Sequence, residues 1–301
     1  MIRNLAVNVD IDSLNLYYGI HGMDPSAASE ASWDTGIPRF MELFDSLGLR
    51  ATFFVVASDL ERAVPRQRIK ELVAAGHEIA SHTWSHPYNL IHQSKDVIAD
   101  EIRRAEDLLS DVRGSRIVGF RAPGYNISET VLDILVQRDY AYDSSMFPCP
   151  PYYLARALVI GQMKLRGRES RSIVGDWKAP FTSRKPSVIR TKSGGSIVEY
   201  PMCVLPGIRF PVIGTSITML GTTGVRVLKP LLTPMSFVNL EFHAVDLLDS
   251  SDAVGDRLPQ VQSDLRVPYL TKRMLFQDVL EHCSKGAQNR TLEELSVGGV
   301  I

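Results

Sequence analysis

The spacing of apolar residues changes along the chain, and each change marks an element. Residues 5–10 (LAVNVD) form a short apolar run and predict a buried strand. In residues 34–49 (DTGIPRFMELFDSLGL), Ile37, Phe40, Met41, Phe44 and Leu47 fall at helical spacing, with Asp34 or Thr35 as cap and Pro38 in the first turn. Residues 51–57 (ATFFVVA) predict a second strand, residues 66–77 a helix ending near Gly76, and residues 78–80 a short third strand. Residues 96–112 predict a long amphipathic helix with Ile98, Ile102, Ala105, Leu109 and Val112 on one stripe. A strand at 116–121, a helix at 128–139 and a strand end at 141–145 follow. Near the far end, residues 236–246 (SFVNLEFHAVD) predict another strand and residues 267–283 a closing helix.

Strands alternating with helices of this length predict βαβ units around a parallel sheet, open or closed into a barrel. Such sheets carry their functional residues at the carboxyl ends of strands. Residues 150–192 break the rhythm. Between Arg156 and Lys192 there are ten Lys or Arg and two acids, Glu169 and Asp176. Leu154, Leu158, Gly161 and Leu165 recur there at helical spacing among Arg156, Lys164, Arg166 and Arg168. This is either a surface helix covering the barrel or an interfacial element that rests on an anionic membrane.

Composition narrows the class. The 301 residues are 45% hydrophobic and 22% charged, the profile of a globular enzyme with a large core. A net charge of −1 offers no global attraction for nucleic acid. Three scattered cysteines, Cys149, Cys203 and Cys283, do not form a disulfide framework and fit a reducing compartment. Neither a signal-peptide pattern nor a transmembrane-length apolar run occurs, so a cytoplasmic location is expected. One domain over residues 1–301 is expected, with a basic insertion at about 150–192.

The candidate chemistry gathers at the predicted strand ends. Of seven histidines, three fall within ten residues, and His82 and His86 are four apart, a spacing that on a helical turn puts two imidazoles on one face. Asp10 and Asp12 share a face if their strand persists, although Asp12-Ser13 is also ordinary turn chemistry. One carboxylate with two neutral imidazoles makes a ligand set for a divalent ion, zinc first, with cobalt, nickel or iron also compatible. The other carboxylate is then free to take a proton from water. Arg121 is placed to hold it ionised, and His243 to serve as a general acid.

Five ordered segments resemble the polysaccharide deacetylase family (the NodB-homology domain, carbohydrate esterase family 4): NVDID, SHTWSH, FRAPGY, YDSSMFP and LEFH. The resemblance implies an irregular (β/α) barrel of about seven strands, a distorted TIM barrel. It implies Asp10 as catalytic base and Asp12, His82 and His86 as metal ligands. Arg121 orients the base, the Gly124 amide binds the oxyanion, and His243 is the acid. The spaced Asp10-Ile11-Asp12 resembles a branch with peptidoglycan deacetylase-like and allantoinase-like members. Two departures stand out. Glu241 occupies the position two before the final His, where an apolar residue is usual, and of the fourth motif only Asp143 is left to tune His243.

The function implied is metal-dependent hydrolysis of an N-acyl group, in the first instance acetyl, from an amino sugar or glycan precursor, lipid-linked in the sharper reading of the basic segment. The alternatives are an allantoinase-like hydrolase of a small amide and a catalytically silent glycan-binding protein. Glu241, Asp143, Tyr125 and Trp84 are candidates for supporting or substrate-facing positions. Of these, Trp84 reads more simply as wall packing, as His77 and Cys203 read as packed core.

Overall fold

The computed structural model describes residues 3–165, 167 and 172–299. Its strands are β1 (Arg3–Ile11), β2 (Thr52–Val55), β3 (Glu78–Ser81), β4 (Gly119–Phe120), β5 (Tyr142–Asp143), β6 (Ser187–Arg190), β7 (Ser196–Glu199), β8 (Phe237–His243) and β9 (Ala287–Asn289). They form one curled sheet in the order β6-β7-β5-β4-β3-β2-β1-β8, with β9 pairing beside β1. All pairings are parallel except β6 with β7. The helices are α1 (Leu14–Ile20), α2 (Ile37–Leu47), α3 (Ala63–Ala74), α4 (Lys95–Arg113), α5 (Glu129–Gln137), α6 (Pro150–Leu165), α7 (Gly214–Leu232), α8 (Leu258–Val261), α9 (Tyr269–Ser284) and α10 (Leu292–Val297). This is an irregular, incomplete (β/α) barrel, as the family resemblance implies, with nine strands among the described residues where about seven are expected.

Alternation along β1 shows why the sheet holds together and leaves a polar interior. Leu5, Val7, Val9 and Ile11 pack into the large core with Ile37, Phe40, Phe44 and Ile102, whereas Ala6 joins a separate inner cluster with Phe54, Ala80 and Tyr142. Asn8 and Asp10 share the face of Ala6, because successive strand residues alternate sides. The gap between β7 and β8 is closed by the chain leaving β7. Cys203 N donates to Asn239 O at 3.0 Å, and Asn239 Nδ2 donates to Tyr200 O at 3.1 Å. Ile213 adds a single parallel bridge to Glu241.

One local expectation is corrected and two open readings are sharpened. Neither Asp34 nor Thr35 caps α2: both lie inside a single π turn, Ser32–Gly36, that runs directly into the helix. Gly36 is required there, since a Cβ would sit 2.3 Å from the backbone oxygen of Ala244, next to His243. The His82–His86 segment is not helical, as described below. In the basic segment, residues 150–165 do form a helix, but Leu154, Leu158 and Leu165 point to solvent at 64%, 58% and 90% exposure. The opposite face, with Tyr152, Ala155 and Ile160, lines the cavity above the barrel. Arg166 and Arg168 lie outside the described residues. No described helix is long and apolar enough to cross a membrane.

Candidate active site

β1 delivers Asp10 at its end and Asp12 one residue beyond it. β8 is in parallel register beside it, so Asp10 pairs with His243 and Asn8 with Glu241. His82 follows β3 and Arg121 follows β4, so the ends of β8, β1, β3 and β4 contribute to one place on the curled sheet. Asp10, Asp12, His82 and His243 line the floor of a cavity of about 590 Å³, together with His86, Gly124 and Tyr125.

His82 and His86 come together through a loop. Thr83 and His86 adopt positive φ (68° and 57°), and Thr83 Oγ1 accepts from His86 N at 3.0 Å, which folds the chain back on itself. The two rings meet edge to face with centroids 4.8 Å apart. Asp12 Oδ1 lies 3.7 Å from His82 Nε2 and 3.5 Å from His86 Nε2. His82 Nδ1 donates to Arg121 O at 2.7 Å, which leaves its Nε2 as a lone pair facing Asp12. Burial holds both imidazoles neutral, lowering His82 to about 4 and His86 to about 3. Asp12 Oδ1 is buried with no hydrogen-bond donor. A buried carboxylate oxygen without a donor and two buried neutral imidazoles within reach of one another fit a divalent cation, so the residues present suit the metal that the ligand pattern implies.

Asp10 belongs to a different network. Its Oδ1 accepts from Arg121 Nη1 at 2.5 Å, and both side chains are sealed from solvent. Arg121 also donates from Nη2 to Asn8 Oδ1 (2.7 Å) and Ser144 Oγ (2.8 Å), from Nε to Ser144 O (2.7 Å), and lies over the Phe54 ring. Burial alone would raise the Asp10 pKa, but the positive charges around it, Arg121 first, bring it below the usual carboxylate value. At neutral pH Asp10 is therefore an anion available to accept a proton.

His243 stands beside Asp10 on the neighbouring strand. Its Nδ1 lies 3.0 Å from Glu241 Oε1, and the Tyr125 hydroxyl donates to the same oxygen at 3.0 Å. Asp246 Oδ2 accepts the His243 backbone N–H at 2.8 Å. Burial would lower the His243 pKa, but Glu241, Asp10, Asp12 and Asp246 outweigh it and raise it to about 9. Burial raises Glu241 to about 7. Asp143 does not reach this network. It accepts from Ser145 Oγ at 2.5 Å and sits beside Glu199 in the β5–β7 register, which removes it from the expected tuning of His243; Glu241 and Asp246 occupy that place. Trp84 is under the Arg104 guanidinium, 3.9 Å from its ring centroid, and is not a wall of the cavity.

Several contributors were not read from the sequence. Asn8 was legible in principle, two residues before Asp10 on the same strand face. Ser144 was legible only as part of the YDSS segment. Arg156 had no local signal: from α6 its Nη1 donates to Gly124 O at 2.7 Å and its Nε to Ser172 Oγ at 2.8 Å, tying the roof helix to the Pro123–Tyr125 turn. Gly124 has φ 59°, a left-handed conformation that favours glycine.

Residues 29–142 match the polysaccharide deacetylase family model. The chain is 29% identical over 156 residues to a peptidoglycan deacetylase from Helicobacter pylori, a match covering 50% of this chain and 52% of that protein. It spans about half the length of the curated relatives it matches. A solved structure from Mycobacterium smegmatis assigned to the polysaccharide deacetylases superposes with a TM-score of 0.62 at 18% identity, over 99% of this chain and 91% of that one. An allantoinase structure superposes with a TM-score of 0.62 at 14% identity, over 98% and 89%. Residues 29–142 carry the similarity to the polysaccharide deacetylase family.

Proposed function

We propose that the chain is a metal-dependent amidohydrolase that removes an N-acyl group, in the simplest case acetyl, from an amino sugar or glycan precursor. The observation that carries this reading is the division of labour within one cavity. An ionised carboxylate, Asp10, and a protonated imidazole, His243, stand next to each other and beside Asp12, His82 and His86. A divalent cation held by those three residues would polarise the acyl carbonyl and acidify a water. Asp10 accepts the proton of the attacking water, and Arg121 keeps it ionised and oriented. Gly124 presents its backbone to the developing oxyanion. His243, held by Glu241 and Tyr125, gives its proton to the departing amine.

The test is acetate release from N-acetylglucosamine and its short oligomers by metal-loaded protein. Turnover abolished by chelation and restored by zinc supports the reading. Turnover of a small cyclic amide such as allantoin, with none on the amino sugars, would move the substrate class while keeping the chemistry. Glycan binding without hydrolysis would leave a silent binding protein. The α6 roof, which narrows access to the floor, is the feature that keeps a small-amide substrate in contention. The outward apolar stripe of α6, with Lys164 exposed beside it, supports peripheral contact with an anionic membrane. Salt-sensitive co-sedimentation with anionic vesicles is the expected result, and none with either lipid charge would remove that contact.

A further inference from the structure

The cavity is sorted by depth. Its floor is polar and closed to solvent: Asp10, Asp12, His82 and His86 are 1–6% exposed. Above the floor the lining is mainly apolar, with Ile20 of α1, Val159, Ile160 and Met163 of α6, Phe210 ahead of α7 and Met219 of α7, interrupted by His21, Arg156 and Gln262. Val159 and Met219 are 54% and 76% exposed, so the rim itself is apolar and wet. Apolar side chains converging on one opening from three separate elements mark a ligand surface rather than scattered surface residues. Its lining holds a hydrocarbon chain better than a run of sugar units, whose hydroxyls need hydrogen-bonding partners along the whole path. It is continuous with the floor, so whatever lies on it is joined to the group that reacts there.

From this we infer that the outer cavity binds a hydrocarbon chain of the substrate, whose amide end reaches the floor. The inference rests on the reading of the floor as an N-acyl hydrolase. The substrate class is then an amphiphile, an N-acylated amine head with an aliphatic chain leading out between α6 and α7. The chain belongs either to the acyl half or to the group carried by the amine half, and the chemistry of the site is the same for both. α6 is held in place as a wall by the Arg156 bonds to Gly124 O and Ser172 Oγ.

Two substrate series distinguish the two sources. One is glucosamine N-acylated with chains from acetyl to octanoyl. The other is N-acetylglucosamine carrying n-alkyl glycosides from methyl to octyl. Both are assayed below the micelle concentration and without membranes. In the series that carries the natural chain, kcat/KM rises by about fourfold per methylene until the cavity is filled, and by at least about tenfold from methyl to octyl. Ile160→Asp flattens that rise, whereas Leu158→Asp, on the outer face of the same helix, preserves it. A flat response in both series, with the short members turned over, would overturn the chain site and leave the floor chemistry standing. If no member is turned over, the floor reading fails. The chain site is then judged by calorimetry with octyl and methyl N-acetylglucosaminide on the Asp10→Asn protein. Octyl binding at least about tenfold tighter than methyl supports it, and equal dissociation constants overturn it.

Discussion

Asp10 and Arg121 form a buried ion pair at 2.5 Å in which neither side chain touches solvent, and the guanidinium is closed on its other sides by Asn8, Ser144 and the Phe54 ring. Removing one partner from such a pair leaves an uncompensated charge. Arg121→Met is therefore expected to lower stability by about 3–5 kcal/mol in urea unfolding, along with turnover. A loss under about 1 kcal/mol would mean that the pair behaves like a surface bridge.

Glu241 is the first of four carboxylates that raise the His243 pKa against burial in metal-free protein. With Glu241 ionised, His243 titrates near 9; with burial alone it would fall below its ordinary value of 6.5. In Glu241→Gln the largest opposing charge is gone, so the His243 pKa drops. NMR titration of the ring in chelator-treated protein reads this directly. A His243 pKa unmoved by the substitution would assign its elevation to Asp10, Asp12 and Asp246.

His77 makes the fold sensitive to acid at a point far from any chemistry. Its Nδ1 accepts from Ala51 N at 3.1 Å, and its ring packs edge-on against Phe44 and Phe53, an arrangement that needs the neutral form. Burial lowers its pKa to about 4 from 6.5. The unfolded chain therefore binds the extra proton first. The neutral ring's contribution is complete above pH 6.5 and is lost as pH falls from there towards 4, by up to about 3 kcal/mol. His77→Asn, which keeps an acceptor where Nδ1 was, is expected to start less stable and to show a flatter fall over that range. An unchanged slope would place the acid sensitivity elsewhere.

Asp10, Asp12, His82, Arg121 and His243 were legible in the sequence because each lies at or just beyond a strand, where local pattern predicts the end and barrel topology gathers the ends. The reason His82 meets His86 was not legible. Helical spacing suggested a shared face, whereas two residues of positive φ do the work, and spacing alone does not reveal a backbone turn. The face of α6 was also hidden. Tyr152, Leu154, Ala155, Leu158, Val159 and Ile160 make its first turns apolar all round, so periodicity could not choose between roof and surface. The Glu241–Tyr125 contact joins residues 116 positions apart, through the β8 register and the Pro123–Tyr125 turn. Neither segment alone carries a sign of it.

Metal content and turnover, measured on the same preparations of Asp10→Asn and Asp12→Asn, test the division between base and ligand most directly. Asp10→Asn is expected to hold one divalent ion per chain and to lose about 10²–10⁴ in turnover, because its carboxylate carries a proton rather than the ion. Asp12→Asn is expected to lose the ion and the activity together. Equal metal loss in both variants, or full turnover in Asp10→Asn, would contradict the assignment.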